Sequence, residues 1–268
     1  MEIDVDGKRA YAATGGRAFD AGKPVVLFIH GAGQDHTNWQ LPARWCAWHG
    51  HAVLAVDLPG HGRTQGPPLA TVPELAGWIG RLLRAVGAEN ATLVGHSMGG
   101  AIALEAAAAL AERVRRLVLL GTAPALPVNE QLLRAAREQP HEAHRLITTW
   151  ALGADAKRGG NAVPGLWLTN ASMALLARNA PGVLAADFEA CNRWTSGREA
   201  ARRVRCPTLI IMGGNDVMTP PRAGRQLAEL IAGAETLTIA GAGHTLMAEA
   251  PDAVLDALIG FVAPARAA

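Results

Sequence analysis

The pentapeptide Gly95-His96-Ser97-Met98-Gly99 sets a serine between two glycines, directly after the apolar run Ala91 to Val94 and before an alanine-rich stretch. A serine hydroxyl is a weak nucleophile at neutral pH, so it serves acyl transfer only where a sharp turn exposes it and a base takes its proton. Flanking glycines permit such a turn. The helix expected to follow brings N–H groups and a positive dipole end to a developing oxyanion. Two other residues have the types this chemistry needs. Asp216 ends Gly213-Gly214-Asn215-Asp216 and His244 ends Gly241-Ala242-Gly243-His244, each behind a glycine-bearing turn after an apolar run. A histidine so placed takes the serine proton and returns it to the leaving group, while a carboxylate fixes its tautomer and stabilises the imidazolium.

Positioning three such side chains requires a rigid frame. Short apolar runs bounded by Gly, Pro or Asp alternate with helical stretches, which predicts an α/β fold with a mostly parallel sheet and helices on both faces. Strands are expected at Lys8 to Ala13, Val25 to His30, Ala52 to Asp57, Ala91 to Gly95, Leu117 to Leu120, Thr208 to Met212 and Glu235 to Ile239. An edge hairpin is expected around Asp6-Gly7. Helices are expected at Pro73 to Val86, Met98 to Ala111, Pro221 to Ala232 and Pro251 to Val262. About 85 residues part the strand ending at Leu120 from the next, more than one crossover helix needs. The division that follows is a core of residues 1–121 and 203–268 and a helical cap at 122–202.

His30-Gly31-Ala32-Gly33, Asp57-Leu58-Pro59-Gly60-His61-Gly62 and Gly95-His96-Ser97-Met98-Gly99-Gly100, each after a strand, resemble the α/β-hydrolase family over nearly the whole chain. The resemblance is to its esterases, lactonases, haloperoxidase-like proteins and carbon-carbon bond hydrolases. It implies a roughly eight-stranded sheet, the order Ser, Asp, His along the chain, and an oxyanion hole made by the N–H groups of Ala32 and Met98. Relatives that carry the acid after the preceding strand would need it in Gly121-Thr122-Ala123-Pro124, which has no carboxylate. Asp57, which ends a strand on the same edge, is expected to be structural, and Arg63 and Gln65 to be surface contacts.

Among nine histidines, His30 and His61 are expected to hold loops and His96 to point away from the nucleophile, while His36, His49 and His51 have no chemical context. His141 and His144 lack HExxH spacing and are read as a solvated helix face. An acyl pocket is expected from Trp39, Trp150, Trp167, Met173, Leu176, Val217, Met218 and Leu246. Arg193 is the residue that resemblance to carbon-carbon bond hydrolases nominates for holding a substrate carboxylate.

The expected activity is hydrolysis of carboxylic esters with short to medium apolar acyl groups, without metal or organic cofactor. Lactone cleavage, carbon-carbon bond hydrolysis of ring-cleavage diketones and non-catalytic ligand binding are the alternatives, because a fold alone does not choose among them. The 25 basic and 23 acidic residues are spread evenly, so no basic block favours nucleic acid. Three cysteines without metal-like spacing fit a reducing compartment. No apolar run reaches the roughly 20 residues of a membrane helix, and the N-terminus is acidic. A soluble cytoplasmic protein, monomer or homodimer, acting on a small-molecule ester is expected.

Overall fold

Runs such as Val25–Ile29 and Ala52–Val56 are apolar at every position, the pattern of strands covered on both faces. The computed structural model, which describes residues 1–160 and 165–262, forms them into a sheet. Its strands are β1 (Glu2–Val5), β2 (Lys8–Ala13), β3 (Val25–Ile29), β4 (Ala52–Val56), β5 (Ala91–His96), β6 (Val114–Leu120), β7 (Thr208–Gly213) and β8 (Glu235–Ile239). They lie in the order β1-β2-β4-β3-β5-β6-β7-β8. The β1–β2 and β2–β4 pairs are antiparallel, and the remaining pairs are parallel. Asp6 and Gly7 both take positive φ, 57° and 76°, as a tight hairpin turn matched to strand twist requires.

Alternation along the parallel strands divides the core. Leu27, Ile29, Leu54, Val56 and Leu93 face one helical layer, where they meet Ile79, Leu82 and Ile102. Val26, Phe28, Val53, Ala55 and Val94 face the other, with Trp39, Cys46, Val254 and Leu258. Phe28 is fully buried, and truncating a core phenylalanine to Ala costs about 3–5 kcal/mol.

The helices are α1 (Gln40–Trp48), α2 (Val72–Ala85), α3 (Met98–Leu110), α4 (Glu130–Glu138), α5 (Pro140–Ala151), α6 (Ala154–Lys157), α7 (Leu168–Ala177), α8 (Val183–Arg193), α9 (Gly197–Arg203), α10 (Pro221–Leu230), α11 (Leu246–Glu249) and α12 (Pro251–Val262). Thr71 caps α2 by accepting from the Glu74 N–H, and Pro73 occupies its first turn, where no intrahelical donor is lost. α1 and the 3-10 turn His36–Trp39 before it were not expected from sequence. Asp35 starts that turn by accepting from the Thr37 N–H.

Between β6 and β7, helices α4, α5 and α8 share a core of their own, with Leu132, Leu133, Leu146, Leu184 and Phe188. α9 belongs elsewhere, because Ala200 and Ala201 pack with Ile102 and Leu104 of α3. The core layer therefore resumes within the stretch expected as cap (122–202). Residues 263–268 of the expected core lie outside the described residues. Among the described residues no helix is long and apolar enough to cross a membrane.

Candidate active site

In-register pairing brings the C-terminal ends of the central strands level: Ile29 lies opposite Val56 and Gly95, His96 opposite Leu120, and Leu120 opposite Ile211. The turns that follow therefore share one edge of the sheet. Ser97 sits there between β5 and α3 with φ 53° and ψ −117°, a backbone conformation that non-glycine residues occupy only under constraint. The constraint is visible. The Ser97 N–H donates to Leu120 O at 2.9 Å, and the Thr122 hydroxyl donates to Ser97 O at 3.1 Å. A Cβ on Gly95 would collide with the Gly99 carbonyl, and one on Gly99 with the carbonyls of Ile29 and His30, so both glycines are dictated by close approach of backbone.

The structure brings Asp216 and His244 together. His244 Nδ1 lies 2.7 Å from Asp216 Oδ2, and both residues are buried. Burial works against the Asp216 charge, but the attraction and hydrogen bond of His244, joined by donors from Thr219, outweigh it and hold the carboxyl below its ordinary range. The N–H groups of Met218 and Thr219 each donate to Asp216 Oδ1 at 2.8 Å. The Thr219 hydroxyl is 2.8 Å from Asp216 Oδ2, 2.8 Å from Gly121 O and 3.1 Å from His244 Nδ1.

Two residues that sequence reasoning missed fasten the histidine loop. Thr219 is the first. Glu249 is the second: its buried carboxylate accepts from the N–H groups of Gly243 (2.9 Å), Thr245 (3.1 Å) and, from the cap, Gly153 (2.7 Å). The His244 N–H donates to Ala151 O at 2.6 Å, so the loop is docked on the cap between α5 and α6. A glutamate five residues after a Gly-x-Gly-His turn is the signal that existed, though no periodicity marks it as buried.

His96 does not simply turn away. Its Nε2 donates to His244 O at 2.9 Å, and its ring lies 4.8 Å from that of His244. Burial and the neighbouring His244 push it down to about 3, so it is neutral. His30 donates from Nδ1 to Gly31 O (2.8 Å) and accepts from the Leu58 N–H at Nε2 (3.1 Å). Asp57, fully buried, accepts from His36 through its N–H and Nδ1 and from the Arg63 N–H. Those bonds outweigh its burial and lower it from the ordinary carboxylate value. Asp35, His36 and Asp57 lie close enough to share an ion, yet Asp35 is already paired with the Arg178 guanidinium at 2.6 Å.

Two cavities meet at Ser97, His244, Ala32, Met218 and Phe188. The first, of about 470 Å³, runs under α5 and α7 past Leu152, Leu168 and Leu175. The second, of about 730 Å³, runs past Leu126, Leu132 and Trp150. The N–H of Met98, first residue of α3, is among those a helix leaves without an intrahelical acceptor, and Ala32 borders both cavities.

Of the residues expected to line a pocket, Leu176 borders the first cavity, Trp150 and Val217 the second, and Met218 both. The others are placed differently. Trp39 is fully buried and packs on Phe28 at 5.2 Å between ring centroids. Leu246 is buried with Ile211 and Val94 in the core. Trp167 is 59 % exposed, and neither it nor Met173 borders either of these two cavities. Arg193 ends α8 and turns outward to Glu189 at 3.1 Å, since both lie on one exposed face a helical turn apart.

Residues 24–251 match the family model described as alpha/beta hydrolase fold. A component of an acetoin cleaving system from Cupriavidus necator, a dihydrolipoyllysine-residue acetyltransferase, is 42% identical over 120 residues. That match spans 44% of this chain and only 30% of the relative's length. A 2-hydroxymuconate semialdehyde hydrolase from a Pseudomonas species (strain CF600) is 32% identical over 92% of this chain and 89% of its own. Among solved structures, the enol-lactonase from Burkholderia xenovorans LB400 superposes with a TM-score of 0.87 at 24% identity, covering 98% of this chain and 99% of that one. A thermophilic esterase superposes with a TM-score of 0.80 at 26% identity, covering 98% and 96%. The strand order, the serine elbow and these matches agree: the chain belongs to the α/β-hydrolase fold family.

Proposed function

We propose that the chain hydrolyses carboxylic esters with short to medium apolar acyl groups through an acyl-enzyme on Ser97. The observation that carries this reading is the strained Ser97 turn opening onto the same cavities as His244, whose Nδ1 is bonded to Asp216. Because Nδ1 faces a carboxylate, Nε2 is the nitrogen left to act as base. The Ser97 oxygen attacks the ester carbonyl carbon while its proton passes to His244 Nε2. The carbonyl oxygen, now negative, is received by the N–H groups of Ala32 and Met98, an electrostatic contribution worth about 3–4 kcal/mol per donor. The C–O bond to the alcohol breaks and the alcohol leaves with the proton from His244. Water then repeats the sequence on the acyl-enzyme, releasing the acid and restoring the Ser97 hydroxyl.

Leu152, Leu168 and Leu175 on the first cavity and Leu126, Leu132 and Trp150 on the second support an apolar chain next to the ester, and 470 and 730 Å³ fall within the range of small-molecule sites. Carbon-carbon bond hydrolysis is the second reading, favoured by the 32% identity to the semialdehyde hydrolase. The outward position of Arg193 removes the anion site that reading assigned to it.

A panel of p-nitrophenyl esters of increasing acyl length, measured on the parent and on Ser97→Ala, tests the proposal. Turnover of two- to eight-carbon esters by the parent, lost in the variant, is expected. Absence of turnover on every ester by folded parent protein contradicts it.

A further inference from the structure

The two cavities that meet at Ser97 differ in charge. The first contains one basic side chain at its wall, Arg178, which is neutralised by Asp35 at 2.6 Å. The second is bordered by Arg198 in the first turn of α9 and Arg222 in the first turn of α10. Among the described residues no aspartate, glutamate or lysine borders that cavity, and neither guanidinium makes a hydrogen bond or ion pair within the chain. Other arginines nearby are engaged: Arg137 with Glu189 at 2.8 Å and Arg193 with the same carboxylate at 3.1 Å.

Both arginines are solvent-exposed. Arg198 and Arg222 come from helices on different stretches of chain, and both border one cavity whose wall also includes Pro124, Val128, Pro220 and Ala223. Gln226 on α10 adds a neutral polar side chain to the same wall. Two arginines with no acidic residue on the same wall give the cavity a positive potential. Their planar forks match a carboxylate better than a point cation would.

We infer that the second cavity binds a substrate arm ending in a carboxylate, held by Arg198 and Arg222, so that the preferred esters are monoesters of dicarboxylic acids. The inference rests on the ester-hydrolase reading for its chemistry and deepens it. The apolar stretch between Ser97 and the arginines takes the methylene chain of the diacid, and the first cavity takes the other arm of the ester. This replaces the anion site that resemblance to carbon-carbon bond hydrolases assigned to Arg193.

The test compares p-nitrophenyl hydrogen succinate, adipate and suberate with p-nitrophenyl alkanoates of matching length, on the parent and on Arg198→Ala, Arg222→Ala and the double variant. The quantity read is the ratio of kcat/KM for charged over neutral ester within each protein, which cancels differences in active fraction. The parent ratio at the best chain length is expected to exceed unity by about tenfold. It should fall toward or below unity in the double variant, chiefly through KM, and shrink as salt is raised. A parent ratio at or below unity, or a ratio unchanged in the double variant, overturns the inference while neutral-ester turnover leaves the ester-hydrolase reading standing. Should no ester be turned over, calorimetric titration with adipate decides the subsite alone: saturable binding lost in the double variant supports it, and no binding overturns it.

Discussion

The Asp187 carboxylate, on cap helix α8, accepts from the Gly33 N–H of the expected oxyanion loop at 2.8 Å. The same oxygen lies 2.8 Å from His61 Nε2, whose Nδ1 faces Pro59 O at 3.1 Å. Acceptors at both ring nitrogens favour the protonated form of His61. Burial opposes that charge, but Asp187 outweighs it and holds His61 above its ordinary value. Gly33 is gripped on all sides: its carbonyl accepts from the Asn179 side chain, and a Cβ there would come within 2.8 Å of Leu184 and 3.0 Å of Leu176. One buried pair thus ties α8 to the core loops at Gly33 and His61, and on the ester-hydrolase reading Asp187 is a positioning residue.

Asp187→Ala is expected to destabilise the protein by about 3–5 kcal/mol by leaving a buried charge unpaired. Asp187→Asn keeps the volume and an acceptor, and separates positioning from folding. In that variant kcat on the best ester should fall at least tenfold with KM nearly constant. A fall confined to KM would mean the contact shapes the cap alone. Because the His61 value is raised, the stabilisation from the pair is complete below about pH 6.5 and is lost as pH climbs through the folded value. Melting temperature of the parent should decline along that alkaline limb, and Asp187→Asn should flatten it.

Acid acts through other histidines. Burial pushes His30 down to about 4 and His96 to about 3, so each is neutral when folded and gains a proton on unfolding below about pH 6.5. Each contributes stability that falls by about 1.4 kcal/mol per pH unit as pH drops from 6.5. His61 is already charged there and adds no slope. Urea midpoints between pH 7 and 5 should fall in the parent and fall less steeply in His96→Gln.

Thr219→Val removes the hydroxyl beside Asp216, Gly121 and His244 while keeping side-chain shape. A tenfold or greater loss of kcat with little change in KM is expected, with Thr219→Ser restoring most of it. Equal activity in Val and Ser variants would show that the hydroxyl does not position the acid.

Glu249→Ala leaves the N–H groups of Gly153, Gly243 and Thr245 without their acceptor, at about 1–3 kcal/mol for each that stays buried. A lower melting temperature and a lower kcat are both expected, because the loop that loses its anchor carries His244. Glu249→Gln, which retains one carbonyl oxygen, should recover part of each.

Sheet strands, the serine elbow and the glycine turns were legible in the sequence because each is set by local pattern: unbroken apolar runs, and glycines where backbones touch. β6 starts at Val114, earlier than Leu117, because Arg115 and Arg116 interrupt the apolar pattern where the strand emerges. α1 escaped notice because Pro42 and two tryptophans mask its period, although Pro42 lies in its first turn and is tolerated there. The pocket was read less well. Trp39 and Leu246 are apolar for packing against the sheet, and composition does not separate a core wall from a cavity wall. Asp187 carries no local sequence signal, and only tertiary contact with His61 reveals it as buried. Thr219 and Glu249 act on residues reached by fold rather than by spacing.

Covalent labelling with a fluorophosphonate, followed by intact-mass measurement and peptide mapping, tests the serine mechanism most directly. A single adduct on the peptide bearing Ser97, absent in Ser97→Ala and slowed at least a hundredfold in His244→Ala, is the expected result. An unlabelled folded parent, or an adduct on another residue that persists in Ser97→Ala, would contradict it.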